Sequence, residues 1–515
     1  MQKILYEYRE LLEKAELLKE NHILGDEDVP VEGLTYDSRE AVRNGIFLCK
    51  GAAFKQEYLE MARGNGCICY VSEQVCKTEK PMSYLLVTDI RRAMAVLAQA
   101  FYGRPEDCLK MTGITGTKGK TTTAYYLKGI LDTWEKARGS QETGLLSTIE
   151  FFDGKQNQPS LMTTPESPEV YRHLRNAVDS GMEYFTMEVS SQALKYARVR
   201  GIVYDVGIFL NISEDHISPC EHEDFEDYFS AKLSLFRQTR TACVNVDSPY
   251  ADRMLKAARM ADRVVTFGTS KSPDLWAHDI RVEDGKLTFR VKCDRFHETF
   301  TLGMHGNFNV ENALAAITAA YVYKIPVEYM KKGLAEVQVS GRMEEYVSGD
   351  GKVRAVVDYA HNRLSFERLF DSIYLEYPGW RIVSVFGCPG GKAYNRRRDL
   401  GLIAGLFSQK VYLTADDPGV ERVEKISSEI RHYVEMVGCS CECIEDRGQA
   451  IRRAVEECRE KTVVLVLGKG NEGRQKYGTM VYEYPTDARL VCQALQQREN
   501  RTHLWESGSS SQIGE

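Results

Sequence analysis

The sequence contains no long apolar run, and this absence excludes a first class of protein. None of its apolar stretches approaches the roughly 18 residues that a membrane-spanning helix requires. The N-terminal segment MQKILYEYRELLEKAELLKE carries charges throughout and lacks the unbroken apolar centre of a signal peptide. We therefore expect a cytoplasmic protein that does not insert into a membrane.

Paired cysteines are also absent. The chain has 14 cysteines, but no Cys-x-x-Cys pair, and the tightest group is Cys439, Cys441 and Cys443. A zinc site is therefore disfavoured, and we interpret the cysteines as reduced thiols of a cytosolic enzyme.

An excess of positive charge is missing as well. The net charge of -7 argues against a non-specific nucleic-acid partner.

The remaining composition is that of a globular protein, with 43% hydrophobic and 27% charged residues. A length of 515 residues is enough for about three domains. Apolar runs end in polar or glycine-rich clusters, as in RIVSVFGCPGG (381–391) and TVVLVLGKGNEG (462–473). Such runs, separated by helical stretches, predict α/β domains with parallel sheets whose ligands bind beyond the carboxyl ends of the strands. We place the domains at 1–108, 109–339 and 340–499, followed by a disordered tail at 500–515.

The segment MTGITGTKGKTTTAYYLKGIL (111–131) predicts a phosphate-binding loop that opens a helix. Gly116 and Gly119 allow a tight turn with inward-pointing N–H groups, and the helix N-terminus favours phosphate. Lys120 can reach the β- and γ-phosphates, and the Thr121 hydroxyl can bind magnesium. The first glycine of the usual G-x-x-x-x-G-K-[ST] pattern is replaced by Ile114. The alternative is a glycine turn before an ordinary helix.

Two further clusters are ambiguous when each is considered alone. Glu188 ends an apolar run, where it could hold a metal or be a solvated strand end. The acidic stretch 214–236 contains His216, His222 and Lys232, and alone it is typical of a charged surface loop whose lysine makes salt bridges.

Together these motifs resemble the Mur ligases, the ATP-dependent amino-acid-adding enzymes of peptidoglycan synthesis, whose loop is written G-T-x-G-K-[ST]. The resemblance is closest to the type that adds the third residue (MurE), and it covers nearly the whole chain. The matching segments are DSR (37–39), GTKGKTT (116–122), TTPES (163–167), MEVSSQA (187–193), NISEDH (211–216), YFSAK (228–232), GNFNVEN (306–312), GRME (341–344), VDYAHN (357–362), TADDP (414–418) and GKGNE (468–472).

The resemblance implies an N-terminal UDP-sugar-binding domain, a central P-loop domain and a C-terminal Rossmann-like domain that binds the amino acid. It also implies a reaction in which the D-glutamate side-chain carboxylate of UDP-MurNAc-L-Ala-D-Glu is activated as an acyl phosphate and then attacked by an amine. Two anions must approach within about 3 Å before phosphoryl transfer, so cations have to offset their repulsion. ATP and Mg²⁺ are therefore the expected cofactors, and we expect a monomer.

The resemblance also implies roles for individual residues. Those for ATP are Gly116, Thr117, Lys118, Gly119, Lys120, Thr121, Thr122, Asn309, Arg342 and Asp358, with His361 beside them. Those for magnesium are Thr121, Glu188, His216 and Lys232. The residues with a catalytic role are Lys120, Glu188, His216 and Lys232. Those for the UDP-linked substrate are Ser38, Thr163, Thr164, Ser190 and Arg198. In this family the lysine that matches Lys232 is carbamylated, which turns an ammonium into an oxygen ligand suited to a hard cation.

The third amino acid is the open question. Types that add meso-diaminopimelate carry Asp-Asn-Pro-Arg, and types that add L-lysine carry Asp-Asp-Pro-Asn, whereas this chain has Asp416-Asp417-Pro418-Gly419. An additional acid without the arginine favours a bare ammonium, so we expect L-lysine. Arg397 would hold the α-carboxylate. However, Gly419 departs from the lysine type, and Glu472 in GKGNE resembles the diaminopimelate type.

Several alternatives therefore stay open. The enzyme could add meso-diaminopimelate or ornithine, or it could be a paralogue that acts on another peptide. Folylpolyglutamate synthase shares the central and C-terminal architecture, but it lacks a UDP-sugar domain such as the DSR segment implies. A non-catalytic paralogue that binds cell-wall nucleotides is a further alternative, which the intact Lys120, Glu188, His216 and Lys232 disfavour.

Overall fold

A computed structural model describes residues 3–51, 54–215, 217, 221–270, 272–283 and 286–509, with side chains described up to residue 500. His216, a predicted metal ligand, lies outside these residues. No helix in this part of the chain is both long enough and apolar enough to cross a bilayer.

The N-terminal region builds a sheet in the order β1-β5-β4-β3-β2, in which only β1 runs antiparallel to its neighbour among the described residues. Its strands are β1 (Leu18–His22), β2 (Gly33–Thr35), β3 (Gly45–Leu48), β4 (Cys69–Ser72) and β5 (Ser83–Val87). Its helices are α1 (Leu5–Lys14), α2 (Gln56–Gly64) and α3 (Ile90–Phe101). Every residue of β3 and β4 is buried, as the short apolar runs predict.

The central region builds a larger sheet, in the order β16-β15-β14-β13-β12-β11-β6-β10-β7-β8-β9 within the described part of the chain. Its strands are β6 (Lys110–Thr115), β7 (Gly144–Leu146), β8 (Glu150–Phe152), β9 (Asn157–Pro159), β10 (Tyr184–Glu188), β11 (Tyr204–Phe209), β12 (Thr239–Asn245), β13 (Arg263–Gly268), β14 (Leu275–Glu283), β15 (Lys286–Lys292) and β16 (His297–Leu302). Its helices are α4 (Lys120–Arg138), α5 (Ser167–Asp179), α6 (Ser191–Lys195), α7 (Phe225–Leu233), α8 (Ala251–Ala258), α9 (Phe308–Val322) and α10 (Val327–Glu336).

The predicted parallel pairing holds at the centre of this sheet, where β6 lies between β10 and β11. Both edges differ from the prediction, because β14–β15–β16 and β7–β8–β9 pair antiparallel. Alternating burial along β15 explains one edge, since one face packs on the core and the other faces water.

The C-terminal region has a sheet in the order β17-β18-β22-β19-β20-β21, in which β17 alone is antiparallel to its neighbour in the described ranges, and a separate β23–β24 hairpin. The strands are β17 (Glu344–Val347), β18 (Val353–Asp358), β19 (Arg381–Phe386), β20 (Lys410–Leu413), β21 (Ser440–Cys443), β22 (Thr462–Leu467), β23 (Arg474–Tyr477) and β24 (Met480–Glu483). The helices are α11 (Arg363–Glu376), α12 (Asn395–Phe407), α13 (Val423–Met436), α14 (Arg447–Glu456) and α15 (Asp487–Ser509).

The fold class is therefore the predicted α/β arrangement, and each of the three main sheets lies within one of the predicted domain ranges. The tail prediction was wrong for residues 500–509, because α15 continues to Ser509. The segment QALQQRENR (493–501) is rich in strong helix formers, which favours continuation of the helix. Residues 510–515 lie outside the described residues.

Candidate active site

The loop between β6 and α4 has the shape that a phosphate cradle needs. Gly116 and Gly119 have φ values of 153° and 87°, in the region that favours glycine. A Cβ atom on Gly119 would lie 2.1 Å from Asn312 Oδ1. The backbone path therefore requires both predicted glycines, and Gly119 is also required by its close approach to α9.

Asn211, which follows β11, holds this loop from one side. Its side-chain Oδ1 accepts a hydrogen bond from Lys118 N at 2.9 Å, and its Nδ2 donates to Lys118 O at 3.1 Å. Its backbone carbonyl accepts from Thr117 N at 3.0 Å. Three hydrogen bonds from one residue fix the loop without a nucleotide.

Two lysines share the carbonyl oxygen of Gly116. Lys120 Nζ and Lys232 Nζ each donate to it at 2.9 Å. Burial lowers the pKa of Lys120 and lowers the pKa of Lys232 well below its usual value. Burial also lowers the pKa of Lys118 to about 7. The loop therefore concentrates three amino groups, and the negative charge of an entering phosphate would favour their protonated forms.

Glu188 ends β10 next to the loop, and its side chain is fully buried. Its Oε1 accepts from Thr121 Oγ1 and from Thr148 N, both at 2.8 Å, and its Oε2 accepts from Thr148 Oγ1 at 3.2 Å. A hydroxyl and a carboxylate are the hard oxygen donors that Mg²⁺ prefers, so this pair fits the ion. The described residues contain no group of three or more His, Cys, Asp or Glu side chains arranged to hold a metal.

The residues predicted for the UDP-linked substrate meet beside Glu188, with one exception. Thr164 Oγ1 donates to Glu188 O at 2.8 Å and accepts from Ser190 N at 3.1 Å. Arg198 Nη1 donates to Thr164 O at 3.1 Å, and Thr163 Oγ1 lies 3.0 Å from Thr148 Oγ1. The exception is Ser38, which is buried in the N-terminal region.

Glu166 connects these residues to the N-terminal region. Its Oε1 lies 2.7 Å from Lys50 Nζ and 3.1 Å from Arg198 Nε. The carboxylate is therefore shared by one cation from each of two regions, which connects the N-terminal region to the central one.

The central and C-terminal regions enclose a cavity of about 220 Å³, which we call the nucleotide cavity. Its lining residues are Thr117–Thr122, Thr148, Thr163, Glu188, Asn211, Phe308, Asn312, Arg342, Asp358–His361, Ser365 and Arg368. The Arg342 guanidinium lies 4.4 Å above the Tyr359 ring, and Asp358 accepts from the backbone N–H of Met343 and of Ala360. Burial raises the pKa of Asp358.

Asn309, one of the residues predicted for ATP, does not line this cavity. Its Oδ1 accepts from Asn312 Nδ2 at 2.9 Å, and its Nδ2 donates to His305 O. It lies behind Asn312, which does line the cavity. Asn309 therefore supports a residue of the cavity wall, and its role at ATP stays a prediction.

A second depression, which we call the acidic cleft, is lined from both regions. Its lining residues are Ser213–Asp215, Ile217, Glu221, Tyr359, His361–Leu364, Glu367, Pro389, Lys392, Ala393, Asn395, Arg396, Arg398, Asp399, Asp416, Asp417, Gly468 and Glu472. Lys469 Nζ donates to Asp417 Oδ1 at 3.0 Å and to Glu472 Oε2 at 3.1 Å. The predicted acids are thus together, but around a lysine of the protein itself. Burial raises the pKa of Asp416.

The structure contradicts the role predicted for Arg397. The sequence predicted that it holds the α-carboxylate of the amino acid, but its side chain is 2% exposed and does not line the acidic cleft. Its Nη1 donates to Glu429 at 2.7 Å and its Nη2 to Glu421 at 3.0 Å. Adjacent residues of a helix point about 100° apart, so Arg396 faces the cleft instead, where it donates to Asp215 at 2.9 Å.

Comparison with known proteins agrees with this geometry. Residues 114–320 match the model of the Mur ligase middle domain, and residues 341–470 match that of the Mur ligase glutamate ligase domain. A UDP-N-acetylmuramyl-tripeptide synthetase of Lactobacillus delbrueckii subsp. bulgaricus is 38% identical over 510 residues, which cover 94% of this chain and 98% of that protein. The chain belongs to the Mur ligase family.

Another relative is the UDP-N-acetylmuramoyl-L-alanyl-D-glutamate--L-lysine ligase of Enterococcus faecalis. It is 38% identical over 509 residues, which cover 95% of this chain and 98% of that protein. A solved UDP-N-acetylmuramoyl-L-alanyl-D-glutamate--2,6-diaminopimelate ligase has a TM-score of 0.64 at 21% identity, over 97% of this chain and 100% of that one. At this identity the likeness supports the Mur ligase fold.

Sequence reasoning missed several residues of this Mur ligase site. Asn211 and Asp215 lie inside a matched motif, NISEDH, yet only their spatial position reveals the loop clamp and the contact with Arg396. Asp215 Oδ2 also accepts from Asn362 Nδ2 at 2.7 Å, so it joins the central region to the C-terminal one. Lys469 lies inside the matched segment GKGNE, in which only Glu472 was given a role, and Thr148 carried no motif signal.

Proposed function

We propose that this Mur ligase joins a diamino acid, L-lysine, to the D-glutamate side-chain carboxylate of UDP-MurNAc-L-Ala-D-Glu, with ATP as the energy source, in peptidoglycan synthesis. The proposal is carried by one observation: a loop that gathers three lysines and a cleft that gathers three carboxylates adjoin each other. The first suits the anions of ATP and the substrate carboxylate, and the second suits the ammonium of a diamino acid. Relatives named as tripeptide synthetases and L-lysine ligases support it.

The first step brings two anions together. A substrate carboxylate oxygen attacks the γ-phosphorus of ATP, the bond to ADP breaks, and an acyl phosphate forms. The amino group of Lys120 leaves the Gly116 carbonyl, which lies 2.9 Å away, for the γ-phosphate and offsets its charge. Lys118 stands on the same loop, and Arg342 approaches from the C-terminal region. The substrate carboxylate enters beside Thr164 and Arg198.

Magnesium would be held by Thr121 and Glu188, where it would neutralise charge on the phosphate oxygens. As an ammonium, Lys232 cannot be a ligand, because it donates a hydrogen bond rather than accepting one. The carbamate that the family resemblance implies would convert it into an oxygen ligand, with His216 as its partner. Lys232 is buried beside the loop, within reach of such a role.

The second step uses the acidic cleft. The side-chain ammonium of the incoming molecule meets Asp416, Asp417 and Glu472, whose charge Lys469 only partly neutralises. Gly419 supplies no cation that could pair with a second substrate carboxylate. A side chain that ends in both an ammonium and a carboxylate would therefore place its carboxylate near the acids of the cleft. Lys392, Arg396 and Arg398 line the same cleft and are the candidates for holding the single α-carboxylate.

The remaining alternatives differ in the amino acid or in catalysis. Ornithine carries the same bare ammonium on a shorter side chain, and meso-diaminopimelate carries a second carboxylate. Folylpolyglutamate synthase is disfavoured because the tripeptide synthetase relative matches over 94% of this chain, including the N-terminal region. A paralogue that only binds nucleotides would not need the lysines of the loop and the acids of the cleft together.

The test is a phosphate-release assay with ATP, the UDP-linked dipeptide and a panel of amino acids. We expect release that requires both the dipeptide and a diamino acid, with L-lysine turned over best. Release without any amino acid would indicate a plain ATPase, and no stimulation by the dipeptide would indicate a binding protein. Either result would contradict the proposed function.

A further inference from the structure

The nucleotide cavity and the acidic cleft meet at two side chains. Among the described residues, only Tyr359 and His361 line both. If the acyl phosphate forms beside the loop and the amino acid lies in the cleft, their reacting atoms must come together at this boundary. The following inference rests on the proposed function, because it concerns the amine that attacks there.

An amino group is an ammonium at neutral pH and has no lone pair with which to attack. It must lose protons as the carbon–nitrogen bond forms, so a proton acceptor at the boundary would accelerate amide formation. General base catalysis of this kind contributes roughly 10²–10⁴-fold in enzymes.

The carboxylates near the boundary are poor acceptors. Asp215 already accepts from Asn362 and Arg396, with Lys118 Nζ 3.7 Å away. These hydrogen bonds stabilise the charged form of Asp215 and weaken it as a base. Asp358 lines the nucleotide cavity but not the acidic cleft, so it does not lie at the boundary. Tyr359 is a phenol whose hydroxyl donates to Glu472 at 3.0 Å.

His361 differs from these groups in its hydrogen bonds. Its Nδ1 lies 2.6 Å from the carbonyl oxygen of Tyr359, and because a carbonyl only accepts, Nδ1 carries the proton. The lone pair of the neutral ring is therefore on Nε2, which lies 3.1 Å from Lys118 Nζ. Once Lys118 turns to the phosphate, Nε2 is available at the boundary.

We propose that His361 is a further catalytic residue, the base that takes the proton of the attacking amine at Nε2. One proton of the ammonium passes to Nε2, which frees the nitrogen lone pair to form a bond to the acyl carbon. The bond from that carbon to the phosphate oxygen breaks, phosphate leaves with the electron pair and takes up the second N–H proton, and the imidazolium returns its proton to water. The imidazole is then ready for another turnover.

The surroundings of His361 support a neutral ring at rest. Burial lowers the pKa of His361 well below its usual value, and the nearby cations Lys118 and Arg396 act in the same direction, opposed by Asp215. An imidazole that is already neutral need not lose a proton before it can accept one.

The experiment compares two nucleophiles on the full-length His361→Gln variant. Hydroxylamine is largely neutral at pH 7 and traps an acyl phosphate as a hydroxamate, so it needs a base far less than lysine does. With ATP and the UDP-linked dipeptide, we expect lysine addition to fall about a hundredfold or more and hydroxamate formation to fall by less than about threefold. His432→Gln, an exposed histidine on α13, should leave both rates unchanged.

Equal losses with both nucleophiles would overturn the proposal and show that His361 acts on binding or on acyl phosphate formation. An unchanged lysine rate would also overturn it. If the same selective loss appears in His216→Gln and not in His361→Gln, the base is His216. If His361→Gln does not fold, the losses with lysine and with hydroxylamine are compared on His361→Asn instead. Failure of the wild-type protein to form either product would instead contradict the proposed function itself.

Discussion

The nucleotide cavity and the acidic cleft place opposite charges in similar arrangements. Beside the cavity, the amino groups of Lys120 and Lys232 gather on one backbone oxygen, that of Gly116. In the cleft, the carboxylates of Asp417 and Glu472 gather on one ammonium, that of Lys469. The Gly116 carbonyl and the Lys469 ammonium thus each hold two groups of like charge close together until a substrate binds. The two sites therefore select an anion and a cation by the same electrostatic principle.

The two sites differ in how the chain builds them. The phosphate-binding side of the cavity is one continuous loop, clamped by Asn211, so the shape of that side follows from local backbone geometry. The cleft is formed by residues after β18, β20 and β22, by the starts of α11 and α12 and by residues of the central region, and its geometry depends on how these elements pack. A substitution in the loop should therefore act directly on catalysis, whereas substitutions in the cleft should divide between selectivity and stability.

The largest expected effect is that of Lys120→Ala. Removing the charge that offsets the γ-phosphate should lower lysine-dependent phosphate release by at least about a thousandfold. Lys136→Ala, at an exposed lysine of the same helix, is the matched control and should behave as wild type. Near wild-type release by Lys120→Ala would show that the loop does not serve phosphoryl transfer.

The next effect concerns the choice of amino acid. The acids of the cleft, without an arginine at Gly419, should favour L-lysine over meso-diaminopimelate by at least about a hundredfold in kcat/KM, equivalent to about 3 kcal/mol. The double variant Asp417→Asn, Gly419→Arg should narrow this gap only partly. Gly419 has φ of 58°, where an arginine is strained by roughly 1–2 kcal/mol.

The measurement is kcat/KM for L-lysine, L-ornithine and meso-diaminopimelate on the unmodified protein and on the double variant. Equal or better turnover of meso-diaminopimelate by the unmodified protein would refute the lysine assignment and leave the ligase assignment intact.

Two neighbouring arginines should differ in their effect on amino-acid binding. Arg396→Met should raise the KM for the amino acid about tenfold, since its side chain lines the cleft, and should also lower the free energy of unfolding, since it donates to the buried Asp215. Arg397→Met should leave the KM unchanged and lower the free energy of unfolding by about 1–3 kcal/mol, because a side chain that is 2% exposed loses its hydrogen bonds to Glu421 and Glu429. Amino-acid titrations and urea unfolding of both variants test this, and a selective KM effect in Arg397→Met would restore the original interpretation.

The smallest effect is a pH dependence at the junction of the two regions. His305 lies 3.3 Å from Glu345 and 3.3 Å from Glu376, and these carboxylates raise its pKa to about 9. Because the folded pKa lies above the unfolded value, this contribution is fully present below pH about 6.5 and is lost as the pH rises through about 9.

We therefore expect the difference in Tm between wild type and His305→Gln to be a few degrees at pH 6.5 and to shrink by pH 9.5. Thermal melts of both proteins at the two pH values measure it. A difference that does not change with pH would show that the charge of His305 does not stabilise the junction.

A feature of the site could be predicted from the sequence where its residues lie close together in the chain. The loop glycines, Lys120 and Thr121 are consecutive, so a motif was enough to place them. Arg397 was chosen over Arg396 because nothing in three consecutive arginines reveals which one meets Glu421 and Glu429 on a later segment. Lys469 was missed for the same reason, since Asp417, one of its two acidic partners, is distant in the sequence and is brought near by the fold. The tail beyond residue 500 was misjudged because its final glycines and serines concealed the helix before them.

The clamp that Asn211 places on the loop has a consequence for the thermodynamics of nucleotide binding. A loop whose N–H and C=O groups are already held loses little backbone freedom when it closes on phosphate, so ordering contributes little to the entropy of association. Nucleotide affinity should then depend mainly on the enthalpy of the charged contacts, and calorimetry on an Asn211 variant would show an added unfavourable entropy term. Asn211 thus shapes the phosphate site, whereas the charged side chains bind the phosphate.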